Sequence, residues 1–230
     1  MNETPLLLTV AVLGGTGKEG KGLAYRWARA GYPVIIGSRS TEKAIQAASE
    51  IIEMLDGAAT VVGMSNPEAA AQADIVVLTV PYAAHAETLQ AIKAGVAGKT
   101  LIDVAVPLVP PKRSKVQMPP AGSAAQEARA ILGEGTEVAA AFHTIAHEYL
   151  LTDQTVDCDV LVTGTSKTAR EETIKLVAAA GLVGWDAGPI ENSVVAEGLV
   201  SVLININKLH GTTHAGIRIT GVDRAGMPGS

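Results

Sequence analysis

The sequence predicts an α/β fold: a parallel sheet with helices on both faces, followed by a smaller C-terminal α/β lobe carrying a long apolar helix. Three observations predict it. Short apolar runs alternate with stretches of helical periodicity from residue 8 onward, the pattern of repeated βαβ units. The run 74–81, Asp-Ile-Val-Val-Leu-Thr-Val-Pro, is almost continuously apolar and β-branched, as a strand buried on both faces must be. A glycine cluster, Gly14-Gly-Thr-Gly-Lys-Glu-Gly20, stands at the junction of the first strand and the first helix.

The first unit occupies residues 8–43. Residues 8–13 read as a buried strand, 17–30 as a helix, and 34–36 as a second strand ending in Gly37-Ser38-Arg39. Within it, Gly15-x-Gly17-x-x-Gly20 falls where a dinucleotide fingerprint requires it, which makes the unit Rossmann-type. One glycine allows the tight turn, one lets backbone N–H groups approach a pyrophosphate, and one lets helix and strand pack closely. The helix start then offers free N–H groups and the positive end of its dipole to the phosphates.

The end of the second strand selects the dinucleotide. An NAD site carries Asp or Glu there to bind the ribose 2′-hydroxyl. This chain has Ser38 and Arg39, with Lys43 one helical turn later, groups that attract a 2′-phosphate. NADP is therefore expected. Otherwise Arg39 and Lys43 are two solvated cations on a helix start.

Composition narrows the class. A chain of 230 residues builds one large core or one and a half domains. Its net charge of −5 gives no reason to expect nucleic acid or an acidic membrane as partner. Cys158 is the single cysteine, so an internal disulfide is excluded and a reducing compartment is expected. It lies between Asp157 and Asp159, whose charges oppose thiolate formation. Residues 1–4 carry no positive charge, so the apolar run that follows does not read as a secretion signal. No apolar stretch is long enough to span a membrane.

The remaining elements follow in order. A helix is expected over 41–55, a short strand over 60–63, and a helix capped by Asn66-Pro67 up to residue 73. The strand 74–81 ends at Pro81-Tyr82, which places Tyr82 at the ligand crevice. His85 reads as a solvated loop or helix-start residue. A helix over 87–94 leads to a strand over 100–103 and then to a proline-rich loop, 104–114, which should wall the site. Ser123 caps a helix to about residue 132, and residues 137–142 form the sixth strand, running into His143-Thr-Ile-Ala-His147. Beyond it come a strand (160–163), a helix (166–180) with Thr168…Glu171 as a capping box, and a strand (182–185). The helix over 190–209 is apolar on several faces, so burial in the core and against a second subunit are both expected. Arg218 in the tail holds either an anion or a surface salt bridge.

Several chemistries lack their residues. The pairs His143…His147 and His210…His214 have zinc-like spacing but no glutamate and no third ligand, so no metal is expected. Neither a GxSxG elbow nor a P-loop is present. Hydride chemistry remains, in which the protein aligns donor and acceptor.

The segments Gly14–Gly20, Gly37-Ser-Arg39, the proline-rich loop, Ala139-Ala-Ala-Phe-His-Thr144, Asp186-Ala-Gly-Pro-Ile-Glu-Asn192 and Ala215-Gly-Ile-Arg-Ile-Thr-Gly221 together resemble NADPH-dependent reductases of the 5-deazaflavin coenzyme F420. The resemblance spans about residues 8–221. It implies reversible hydride transfer between NADP(H) and coenzyme F420 as second substrate, in a cytoplasmic homodimer. It also implies an NADP-binding domain over 1–148 and a smaller domain over 149–230 that completes the deazaflavin site and the dimer interface. By matching position, Gly15, Thr16, Gly17, Lys18, Glu19 and Gly20 cradle the pyrophosphate. Ser38, Arg39 and Lys43 hold the 2′-phosphate, and Tyr82, Val106 and His147 line the rest of the NADP site. Ala215 lies against the deazaflavin. His143 and Ile145 pack by the nicotinamide, positioning the rings without acting as acid or base. Two other readings stay open: an NADPH-dependent reductase of another acceptor (a flavin, an imine or a chelated metal), and an NADP-sensing protein without turnover.

Overall fold

The computed structural model describes residues 7–152 and 154–224; the leader question raised over residues 1–4 lies outside the described residues. The chain runs β1 (Val10–Leu13), α1 (Lys18–Arg29), β2 (Val34–Ser38), α2 (Thr41–Met54), β3 (Val61–Ser65), α3 (Asn66–Gln72) and β4 (Ile75–Leu78). It continues through α4 (His85–Ile92), β5 (Thr100–Asp103), α5 (Ala124–Leu132) and β6 (Glu137–Ala140). The last part is β7 (Asp159–Gly164), α6 (Lys167–Ala179), β8 (Val183–Pro189) and α7 (Ser193–His210).

All eight strands belong to one sheet in the order β3-β2-β1-β4-β5-β6-β7-β8. The first six are parallel, in the Rossmann order with its switch point between β1 and β4. β7 joins β6 antiparallel, and β8 then runs parallel to β7. The C-terminal βαβ piece thus extends the parallel sheet instead of building a sheet of its own.

Strand alternation divides the core into two layers. Val10 and Val12 face α1, α2 and α6, packing with Leu23, Ile51 and Leu176. Ala11 and Leu13 face α3, α4 and α5, packing with Ala69, Leu89 and Ala128. Each fully buried Val, Leu or Ile contributes about 1.5–3 kcal/mol, and β1 and β4 consist of aliphatic residues throughout.

Serines cap α2, α3, α5 and α6. Ser40 and Ser123 cap α2 and α5 through Lys43 N and Gln126 N. The cap of α3 is Ser65, one residue before the expected Asn66-Pro67, and with Glu68 it forms a reciprocal capping box. α6 is capped by Ser166, whose hydroxyl accepts from Ala169 N at 3.1 Å. The expected box at Thr168…Glu171 is not the cap: Thr168 already lies inside the helix, and Glu171 pairs with Lys167.

α7 overturns its expectation of a core-buried apolar helix. Its buried positions are Ser193, Ala196, Glu197, Gly198, Ser201 and Leu203, mostly small or polar. Val194, Val195, Val202, Ile206 and Leu209 are exposed. Small residues let this helix approach the sheet-side elements closely, and the larger apolar ones point outward. Glu197 is satisfied by Ala124 N and Ala125 N, at 2.7 and 3.1 Å, so the buried carboxylate of α7 caps the start of α5.

Two polar anchors tie the C-terminal third to the rest. Arg26 of α1 donates to the carbonyls of Tyr149, Leu150 and Gln154 at 2.7–3.0 Å, pinning the segment after β6 onto α1. Buried Asp159 accepts both guanidinium nitrogens of Arg224 at 2.8 Å, Trp185 Nε1 at 2.8 Å and Ile219 N at 2.7 Å. That carboxylate fastens the tail to β7. Arg218 makes the salt bridge, to Asp157 at 2.8 Å on the surface. Cys158 is buried, and burial is the first cause that lifts its thiol, ahead of the neighbouring acids.

Candidate functional site

The C-terminal ends of β2, β1, β4, β5 and β6 open onto one cleft of about 810 Å³, closed on the far side by α7 and the tail. The glycine turn forms its floor. Gly14 has φ +75°, the left-handed region that glycine enters without strain, so it makes the sharp turn although it stands before the fingerprint triplet. Gly14 N and Gly15 N both donate to Gly37 O, at 3.0 and 3.1 Å, and this fixes the turn to β2. At Gly20 a Cβ would press into Thr79 Oγ1 and the Gly15 backbone, so glycine there lets α1 pack against the end of β4.

Gly17 differs from both. A Cβ there would meet only Gly14 O, at 3.4 Å, so no protein packing demands glycine. Gly17 is also the N-cap of α1 and supplies no side-chain cap. The first N–H groups of α1 therefore face the cleft without a side-chain acceptor, next to space that a side chain would fill. This is the chemistry of an anion cradle. Glu19 sits in the same turn, half-buried, and desolvation pushes its carboxyl up to about 8.

At the end of β2, Ser38 is buried while Arg39 and Lys43 are exposed. Neither cation forms an ion pair with a carboxylate among the described residues. At the end of β4, the Tyr82 hydroxyl donates to Glu127 at 2.8 Å, and the ring stacks on His85 with centroids 5.7 Å apart.

His85 is not the solvated residue the sequence suggested. It begins α4 with 0% of its surface exposed, and its Nε2 lies 2.6 Å from Asp103 Oδ2. Burial pulls its pKa down, but the bond to Asp103 and the charges of Glu127 and Glu197 outweigh that and raise it. The turn between β4 and α4 folds the ring under the sheet end, where a carboxylate of the neighbouring strand awaits it. Nothing local in the sequence announces that pairing.

The end of β6 is shaped by Phe142, which adopts φ +69°. A left-handed Phe costs roughly 1–2 kcal/mol, and it persists because the ring is buried edge-on against Trp27, centroids 5.8 Å apart. The reversal turns His143 and Ile145 into the cleft. His143 Nε2 is buried and has no protein partner among the described residues. Burial drives its pKa down to about 4, against the charge of Asp103 and a hydrogen bond to the Asp103 backbone, so the ring is neutral at physiological pH. Its free Nε2 can then accept a hydrogen bond but cannot supply a proton.

The cleft gathers Thr16, Gly17, Lys18, Glu19, Gly20, Ser38, Arg39, Lys43, Tyr82, Val106, His143, Ile145, His147 and Ala215. Of the residues named from sequence, Gly15 alone is not on its wall; it lies buried against Val12 O and Ile36. Leu108, Arg113, Asn207 and Thr213 line it as well and were not singled out. Asn207 did carry a signal, a polar side chain in an apolar helix; its Oδ1 accepts from Ala215 N at 2.9 Å and holds the tail over the cleft. His143 and His147 do not share a helix, since His147 begins a short 3₁₀ turn. Among the described residues no three His, Cys, Asp or Glu side chains converge as a metal site.

Residues 9–107 match the family described as "NADP oxidoreductase coenzyme F420-dependent". The F420-dependent NADP reductase of Methanothermobacter thermautotrophicus is 42% identical over 94% of this chain and 96% of its own. That of Methanocaldococcus jannaschii is 35% identical over 94% of this chain and 100% of its own. A crystal structure from Arthrobacter sp. FB24, provisionally described as an F420-dependent NADP reductase, superposes with a TM-score of 0.75 at 27% identity, covering 93% of this chain and 99% of that one. With relatives this similar over nearly their whole length, the chain belongs to the F420-dependent NADP oxidoreductase family.

Proposed function

We propose that the cleft carries out reversible direct hydride transfer between NADP(H) and the 5-deazaflavin coenzyme F420. One observation carries the reading: a single cleft has cations and an uncapped helix start at one end and a largely apolar wall at the other. The apolar wall is Val106, Leu108, Ile145, Val200, Leu203, Ile204 and Ala215, suited to a flat ring. Ser38, Arg39 and Lys43 would hold the 2′-phosphate, and the backbone from Thr16 to Gly20 the pyrophosphate. Tyr82, Val106 and His147 would line the remainder of the NADP site.

When bound, the nicotinamide supplies the hydride and the deazaflavin the accepting carbon. The protein's own work is to exclude water, hold both rings at a near-attack distance of about 3–3.5 Å, and leave the transfer to them. His143 and Ile145 would set the ring positions, with neutral His143 Nε2 accepting a ligand N–H. In this reading residues 1–148 bind NADP and residues 149–230 complete the deazaflavin site.

The exposed apolar stripe of α7 supports a homodimer in which that stripe meets its counterpart. A lone, buried cysteine supports a reducing, cytoplasmic setting. Among the described residues no helix is long and apolar enough to cross a membrane. The test is anaerobic mixing of NADPH with the oxidised coenzyme, following loss of the deazaflavin's visible absorbance, with NADH, a flavin and a cyclic imine as comparisons. Rapid loss with NADPH and coenzyme F420 is expected. Faster turnover of the flavin or the imine would overturn the choice of acceptor.

A further inference from the structure

Three ionisable side chains meet just behind the cleft wall, and the proposed hydride transfer uses none of them. Asp103 ends β5, His85 begins α4, and Glu127 stands in the first turn of α5. None of the three lines the cleft. The side chains of Asp103 and His85 are fully buried, and 28% of the Glu127 side chain is exposed. His85 Nε2 meets Asp103 Oδ2 at 2.6 Å. Its Nδ1 faces Glu127 Oε2 at 3.8 Å and has no hydrogen-bond partner among the described residues. Asp103 Oδ1 is held in turn by Ala105 N at 3.0 Å.

The cluster reaches the cleft through Tyr82, which does line it. The Tyr82 hydroxyl donates to Glu127 Oε2 at 2.8 Å, and the ring lies at 29° to the His85 ring, centroids 5.7 Å apart. The carboxylate thus takes the hydroxyl and the imidazole takes the face of one side chain. Asp103 from β5, Glu127 from α5 and Glu197 from α7 all face His85 and favour its charged form, and a cation against an aromatic face adds attraction.

The base under Glu127 is fixed from two sides. α5 starts on the Ser123 cap, Ser123 Oγ lies 2.6 Å from Ser193 Oγ of α7, and Glu197 of α7 accepts from Ala124 N and Ala125 N. A buried ion pair such as His85–Asp103 adds little stability over packed apolar side chains, because desolvation offsets its attraction. Its directed bond does fix an orientation, here for the ring that Tyr82 stacks on.

β4 lies beside β1, one strand step of about 4.8 Å from the strand that enters the glycine turn. Tyr82 follows β4 and so borders the end of the cleft proposed for the dinucleotide. We infer that Glu127, His85 and Asp103 are positioning residues for the nucleotide, holding the Tyr82 ring in one place as a wall of the NADP(H) site. This rests on the NADP reading above and adds to it three residues that touch no ligand themselves.

The experiment titrates NADPH into the full chain and follows the nucleotide's fluorescence, so no acceptor is needed. Each variant is melted in parallel. Tyr82→Phe removes only the hydroxyl, and Glu127→Ala removes its acceptor. Each should raise the Kd for NADPH about five- to tenfold, and the double variant should bind no worse than the weaker single, since both break the same bond. Glu127→Gln keeps an oxygen that can accept from the Tyr82 hydroxyl and should recover most of the affinity. Asp103→Asn must spend its one oxygen on Ala105 N, which presents an amide N–H to His85 and leaves the imidazole neutral. It should weaken NADPH binding about as much, and His85→Gln takes its place if it does not fold. The Kd for coenzyme F420 should shift less than about threefold throughout. Additive losses in the double variant, a Glu127→Gln as weak as Glu127→Ala, or equal losses for both ligands would overturn the positioning role and leave the NADP site intact. Unchanged NADPH affinity in folded Asp103→Asn or His85→Gln would overturn the part given to that pair. A wild type that does not bind NADPH would overturn the NADP reading itself.

Discussion

The two ends of the cleft are built in opposite ways. The end proposed for the dinucleotide comes from one contiguous stretch, residues 14–43, whose shape is set by neighbours in the chain: a left-handed Gly14, an uncapped α1, and a strand ending in Ser38 with Arg39 next to it. The far end is assembled from the loop after β5, the reversal at Phe142, α7 and the tail, and it is held by bonds between distant residues. Arg26 reaches carbonyls more than a hundred residues away, and Asp159 clamps a tail some sixty residues on. A local site tolerates losses elsewhere; an assembled one depends on its clamps.

That difference can be broken from the local side first. Replacing Arg39 by Glu removes a charge-assisted bond and adds a repulsive charge, so the KM for NADPH should rise about a hundredfold or more while that for NADH changes little. Parallel initial-rate measurements with the two nucleotides check it. Equal effects on both would mean that Arg39 does not read the 2′-phosphate.

Next comes the assembled end. Asp159→Ala leaves Arg224, Trp185 Nε1 and Ile219 N without their shared acceptor. A loss of about 3 kcal/mol is expected, lowering Tm by roughly 6–12 °C. Below that Tm the released tail should raise the KM for the deazaflavin more than that for NADPH. Calorimetry and steady-state rates together test this, and an unchanged deazaflavin KM would separate the tail from the site.

Two glycines then sharpen the contrast within the local end. Gly20→Ala forces a Cβ into Thr79 and should cost about 1–3 kcal/mol as well as nucleotide affinity. Gly17→Ala meets little protein, so Tm should hold within a degree or two while NADPH binding weakens. A large drop in Tm for Gly17→Ala would show that its position serves packing.

The smallest effects are pH effects. His143 has its pKa lowered to about 4, so the unfolded chain takes up its proton first as pH falls. Stability should then decline from about pH 6.5 toward 4, and His143→Asn should flatten that limb of a Tm-versus-pH curve. Because the ring stays neutral, kcat should show no inflection from it between pH 5 and 8. His85 has the opposite sign. Its raised pKa adds stability that is complete below the ordinary histidine value and is lost as pH climbs through the higher folded value, and His85→Gln should remove that alkaline decline.

Much of the molecule was legible in the residues because it is periodic or local. Continuous apolar runs such as Ile75–Leu78 declare a doubly buried strand, and Ser123 declares the start of α5. The α6 capping box was misplaced because a Thr-x-x-Glu pattern can occur within a helix, where hydrogen bonds are already made. His85 was misread because its partner, Asp103, is on the next strand. α7 was misread because apolar content does not say which face meets the chain's own core. Its small and polar positions, Ser193, Gly198 and Ser201, are what pack inward.

By itself, then, the sequence determined the order of strands and helices, the glycine turn and the cationic end of β2. These depend on backbone sterics, on the periods of strand and helix, and on groups only a turn apart. The tertiary structure alone decided that β7 would join β6 antiparallel and extend one sheet, that His85 would be buried on Asp103, and that Arg113 would face the same cleft as Arg39. Those outcomes bring together residues from several separate segments. Their energies come from desolvation and shared partners, which exist only once the chain has closed on itself.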